Sequence, residues 1–84
     1  MHRARILIVD DHEIFRKGLC SLSGSRAEFQ ICGEAANGLE AIERAKQDLP
    51  DVVLMDISMP EMDGLQAARI IRSEIPDSRV LILS

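Results

Sequence analysis

Asp10, Asp11 and Asp56 are the side chains best placed to do chemistry. Asp10-Asp11 follows the apolar run Ile6-Leu7-Ile8-Val9, and Asp56 follows Val52-Val53-Leu54-Met55. An acid at the end of a buried strand is held by a rigid backbone yet reaches solvent. In open parallel sheets such carboxyl ends are where ligands bind. Like charges at close range repel by about 4 kcal/mol per pair at intermediate dielectric, so a cluster of three acids calls for a cation among them. No Lys or Arg adjoins these acids in the sequence. Hard oxygen donors, few in number, suit a Mg²⁺ that keeps several waters and leaves room for phosphate oxygens. A carboxylate beside such an ion can attack a phosphoryl group and form an acyl phosphate. Ser84, after the last apolar run, adds a hydroxyl near the same place. A plainer reading makes Asp10 a helix cap paired with Glu13 and Ser84 an ordinary serine. It explains one acid, but neither the second nor the partner at Asp56.

The elements that position these acids follow from apolar spacing. Four consecutive apolar residues at 52–55, two of them β-branched, predict a strand buried on both faces within a helix-covered parallel sheet. Residues 5–9 predict a second. Pro60 can neither donate to a ladder nor continue a helix, so residues 58–61 form a loop, and Asp63-Gly64-Leu65-Gln66 opens a capped helix. Ile14, Phe15, Gly18, Leu19 and Leu22 recur at helical spacing over about three turns. Residues 21–28 read as a loop, and residues 29–35 alternate apolar with polar, the mark of a less buried edge strand. Asn37-Gly38-Leu39-Glu40 opens a second helix with a stripe of Leu39, Ile42 and Ala45, ended by Leu49-Pro50-Asp51. The third helix carries Leu65, Ala68, Ile71 and Ile75 up to Pro76-Asp77, and residues 79–83 form the last strand. Strand and helix thus alternate three times before a final strand. That pattern predicts an α/β doubly wound parallel sheet with right-handed crossovers in the order 2-1-3-4, with the three acids at the switch point.

Composition narrows the partners. Eighty-four residues make one small domain, and 46% hydrophobic content suffices for a core. With Phe15 and Phe29 the only aromatics and a net charge of −4, the chain has neither stacking platforms nor an electrostatic footprint for nucleic acid. No apolar run approaches a membrane span, and Met1-His2-Arg3-Ala4-Arg5 leads into a strand rather than a signal peptide, so a cytoplasmic location is expected. Cys20 and Cys32 lack metal-ligand spacing and a companion His, and are expected to be buried reduced thiols.

Residues 6–11, the stretch Asp56-Ile57-Ser58-Met59-Pro60 with Gly64 following, and Leu81-Ile82-Leu83-Ser84 together resemble the receiver domain of two-component response regulators, a CheY-like, flavodoxin-like fold. The likeness covers essentially the whole chain in the right order. Residues 10–19, Asp-Asp-His-Glu-Ile-Phe-Arg-Lys-Gly-Leu, further resemble the subfamily whose receiver precedes a LuxR-type helix-turn-helix. The resemblance implies that Asp56 is the phosphoacceptor for a sensor histidine kinase. It implies that Asp11, Asp56 and the main-chain carbonyl of Ser58 hold Mg²⁺, with Asp10 acting mostly through water. Ser84 matches the hydroxyl that the family moves toward the phosphoryl group on activation. Transcription would be controlled through a DNA-binding output domain, and no independent enzymatic turnover is expected. The family pattern continues with a fourth helix, a fifth strand carrying a Lys, a switching aromatic and a fifth helix.

Residues 80–83 have the composition of an interior strand but would be the outer edge of the sheet. The expectation is a receiver incomplete at its C-terminal end, or an edge covered by another copy through strand pairing or exchange, giving a homodimer. Two rival functions use the same residues. One is an interaction module that pairs with a second copy without phosphate. The other is a Mg²⁺-dependent phosphatase similar to the haloacid dehalogenases, which place a second Asp two residues after the nucleophile. Here that position is Ser58.

Overall fold

The computed structural model describes residues 4–12, 16–18, 21, 29–56 and 64–83. In chain order they form β1 (Ala4–Val9), β2 (Phe29–Ala35), α1 (Gly38–Asp48), β3 (Val52–Asp56), α2 (Gly64–Glu74) and β4 (Arg79–Leu83). Residues 16–18, within the first predicted helix, are helical, and so is Ser21, which the composition places at the start of a loop. All neighbouring strands pair in parallel in the order β2-β1-β3-β4, as the alternation of elements predicts. The strand with the weakest apolar run, β2, lies at one edge.

Each helix end has a local cause. Asn37 caps α1: its Oδ1 accepts from Glu40 N at 2.9 Å, while Glu40 Oε1 accepts from Ala36 N at 3.0 Å, so two orphan donors are satisfied reciprocally. Asn37→Ala removes half of this box and is expected to lower stability by about 1 kcal/mol, read as a shift in urea midpoint at unchanged slope. At the other end Leu49 turns left-handed at φ 47°, its N–H reaching Ala45 O at 2.9 Å. The guanidinium of Arg5, reaching across from β1, donates to the carbonyls of Asp48 and Leu49, placing a cation where the helix dipole is negative. Below the sheet, Asp51 Oδ2 accepts from Arg5 N at 2.7 Å, and the buried Ser78 hydroxyl donates to Pro50 O. These contacts tie the starts of β1, β3 and β4 together.

Leu7, Val9, Val53, Met55 and Val80 form one face of the sheet, on which Ala41, Ala45, Ala67, Ala68, Ile71 and Ile75 pack as the core. Right-handed crossovers require this arrangement. The β2-to-β3 and β3-to-β4 connections run in one direction, so α1 and α2 share a face. The predicted stripes hold in part: Ala45, Ala68, Ile71 and Ile75 are buried, but the leucines are not. Leu39 is 52% and Leu65 44% exposed, while Gly38, Ala41 and Ala45 of α1 and Gly64, Ala67, Ala68 and Ile71 of α2 are buried. Two helices seated side by side on four strands approach closely, which favours small residues at the contact and pushes leucines to the rim.

Burial on both faces, predicted for β1 and β3, holds only in part. Ile8 is buried on the second face, but Ile6, Val52 and Leu54 are half-buried and Leu81 on β4 is exposed. Cys32 also departs from expectation. It is the extra residue where the β1–β2 register shifts from Ile6↔Ile31 to Leu7↔Gly33, and it is half-buried rather than buried. Desolvation still pushes its thiol above the ordinary value of 9.0. Less of it is thiolate at pH 8 than in a free cysteine, so its alkylation is expected to be slower than that of a cysteine peptide, measured by mass mapping. Cys20 lies outside the described residues. Beyond the bulge, Gly33 leaves room for α1: a Cβ there would come within 2.7 Å of Asp48 Oδ2 and 2.8 Å of Arg44 Nη2.

Candidate functional site

The parallel register makes the site. Val9 pairs with Met55, so the residues that follow each, Asp10 and Asp56, emerge side by side at the carboxyl ends of β1 and β3. Asp11 comes one residue later. Ligand-capable atoms of Asp10, Asp11, His12 and Asp56 all lie within 4.8 Å of one another. Exposure is graded across the cluster: the side chain of Asp10 is 8% exposed, Asp56 16%, Asp11 31% and His12 69%. A carboxylate as enclosed as Asp10 needs donors close by. Its Oδ1 accepts from the His12 main-chain N at 2.7 Å, an Asx-type turn, and lies 2.9 Å from His12 Nδ1. Asp10 N donates to Ala35 O at 3.0 Å, extending the β1–β2 ladder by one rung.

Glu13, the expected capping partner of Asp10, lies outside the described residues. What the structure shows is that helix geometry begins at the His12 carbonyl, which accepts from Arg16 N at 3.1 Å. Arg16 serves as a clamp behind the site. Its Nη1 donates to Asp10 O at 2.5 Å and its Nε to Glu34 Oε1 at 3.3 Å, linking the β1 end to the edge strand.

His12 is the residue that the spacing of acids did not reveal, although it directly follows Asp10-Asp11. Its Nδ1 lies 3.0 Å from Asp11 Oδ1 and 4.0 Å from Asp56 Oδ2. The hydrogen bond to Asp10 above all, then the charges of Asp11 and Asp10, raise its pKa above the ordinary 6.5. The three acids thus favour the protonated form of the imidazole. Ser58 and Ser84, the other predicted site residues, lie outside the described residues. A concave region of 430 Å³, lined in part by Asp51, Ile75 and Ser78, lies at the opposite, amino-terminal end of β3 and β4, away from the acids.

In donor chemistry the cluster fits a divalent cation: carboxylate oxygens from two adjacent strand ends, one well enclosed and the others open to solvent, leave coordination positions for water or phosphate. Among the described residues no helix is long and apolar enough to cross a membrane.

Comparison with known proteins gives the same picture. The chain is 44% identical over 80 residues to the uncharacterized transcriptional regulatory protein YhcZ of Bacillus subtilis, covering 95% of this chain and 37% of that protein. It thus spans little more than a third of that relative. A LuxR-family two-component response regulator from Aurantimonas superposes with a TM-score of 0.88 at 38% identity, over 96% of this chain and 58% of that one. The chain from the CheX–CheY–BeF₃–Mg²⁺ complex of Borrelia burgdorferi superposes with a TM-score of 0.84 at 34% identity, over 94% and 60%. The family model of the response regulator receiver domain matches residues 6–84, a region that runs from β1 through β4 and takes in all three acids. This chain therefore belongs to the receiver domain family of two-component response regulators.

Proposed function

We propose that Asp56 accepts a phosphoryl group from a sensor histidine kinase. The observation that carries this reading is the convergence of Asp10, Asp11 and Asp56 at one strand-end corner, with their ligand atoms within 4.8 Å. A carboxylate oxygen of Asp56 attacks phosphorus as the P–N bond of a phosphohistidine breaks, and the departing imidazole takes up a proton. The strand fixes Asp56 in position, and its 16% exposure leaves a path for the donor. Asp11 and Asp56, with the Ser58 carbonyl, would hold Mg²⁺, and Asp10 would contribute mainly through water. When bound, the ion neutralises charge on the transferring oxygens. The Ser84 hydroxyl contacts the phosphoryl group after transfer.

The acyl phosphate changes charge at one corner of the sheet and biases a two-state surface read by an output domain. For this branch the output is binding of DNA and control of transcription, in line with relatives described as transcriptional regulators. Without an acid at position 58, independent turnover is not part of this function. The test is incubation with a small phosphodonor: the expected result is one phosphoryl group per chain with Mg²⁺ and none in excess chelator. Uptake indifferent to chelator would remove the metal from the account. Asp11→Asn is expected to weaken Mg²⁺ binding by about tenfold or more in calorimetry, since it removes a charged donor.

A further inference from the structure

We propose that His12 is an additional metal ligand through Nδ1, giving this site a nitrogen donor and with it a preference, relative to an all-oxygen site, for ions such as Ni²⁺ over Mg²⁺. The inference rests on the reading above that the acids hold a divalent cation. It concerns which ion they hold best.

The spacing of the donors carries the argument. Around an octahedral ion with bonds of about 2.1 Å, neighbouring ligand atoms stand about 3 Å apart and opposite ones about 4.2 Å. Nδ1 of His12 is 2.9 Å from Asp10 Oδ1, 3.0 Å from Asp11 Oδ1 and 4.0 Å from Asp56 Oδ2. Two of these separations match neighbouring positions and the third matches an opposite one. An imidazole nitrogen already at ligand spacing from Asp11 and Asp56, the two direct carboxylate ligands, needs no backbone movement to join them in one shell. The main chain holds it there: His12 N is bonded to Asp10 Oδ1, and His12 O accepts the Arg16 N–H where helical geometry begins. At 69% exposure the ring is open to solvent, and a neutral imidazole can bind metal through Nδ1.

Donor type then decides selectivity. Carboxylate, carbonyl and water suit Mg²⁺, whereas imidazole suits Ni²⁺ and its neighbours in the first transition row. Both ions accept six ligands in octahedral geometry, so comparing them isolates the nitrogen from the shape of the site.

The experiment is calorimetric titration of the full chain with Ni²⁺ and, separately, with Mg²⁺, in a His2→Ala background that leaves His12 as the only imidazole. His12→Ala is expected to weaken Ni²⁺ by about tenfold or more and to leave Mg²⁺ within about twofold. The ¹⁵N resonance of Nδ1 should shift far more than that of Nε2 when diamagnetic Zn²⁺ is added. If His12→Ala tightens both ions, or changes neither, His12 is a counter-charge rather than a ligand and the proposal is overturned while the metal site stands. If the parent protein binds neither ion, the metal-site reading fails along with it.

Discussion

Asp56→Asn is expected to take up no phosphoryl group from a small donor under conditions in which the parent chain is labelled, a loss of about a thousandfold or more in rate. Asn matches Asp in size and shape, so the strand-end geometry is retained while the nucleophilic oxygen is lost. The substitution also removes one of three clustered negative charges, so the variant should fold at least as well as the parent before any metal is added. Loss of labelling in a protein whose unfolding midpoint is unchanged or raised therefore reports chemistry, not damage. Asp11 is the more exposed of the other two acids, with a side chain 31% exposed against 8% for Asp10. Yet it lies one residue beyond its strand, and its role as ligand ties its oxygens to the cation. Equal labelling of Asp56→Asn and parent would remove Asp56 from the role assigned to it.

The second large effect lies in the core. Ile71 is fully buried on α2 in the core cluster with Val53, Met55 and Val80, and Ile71→Ala is expected to cost about 3 kcal/mol, from lost transfer energy plus the cavity left behind. For a chain of this length, whose total stability is of order 4–12 kcal/mol, that is a large share. The informative comparison is Leu65→Ala on the same helix. Leu65 is 44% exposed, and its truncation should cost less than about 1 kcal/mol. Urea unfolding of both variants decides between the observed face of α2 and the stripe predicted from sequence, which made Leu65 a core residue. Similar losses from both would contradict the observed face.

That contrast shows where the sequence was legible. The strand order and the meeting of Asp10, Asp11 and Asp56 followed from two apolar runs that each end in an acid, because such runs fit only the centre of a covered parallel sheet. The helix faces were harder. Alanine gives almost no periodic signal, so the buried Ala41 and Ala67 fell outside stripes that did include Ala45 and Ala68, while the conspicuous Leu39 and Leu65 lie toward solvent. The bulge at Cys32 left no trace in an alternating strand, since one extra residue changes register without changing composition. His12 escaped notice for a different reason. A search for a cationic neighbour among Lys and Arg overlooks an imidazole whose pKa the surrounding acids raise. Arg16 was likewise legible only as a polar position on a helix. Its clamp on the Asp10 carbonyl and Glu34 depends on the edge strand lying beside β1.

The measurement that most directly tests the central claim is trapping of the phosphorylated chain with borohydride, followed by peptide mass mapping. An acyl phosphate is reduced to the alcohol, so an aspartyl phosphate leaves homoserine in its place. The account predicts homoserine at position 56 alone, formed only when Mg²⁺ and phosphodonor are both present. Homoserine at position 10 or 11, or a phosphoryl group that survives borohydride on a serine or histidine, would contradict it.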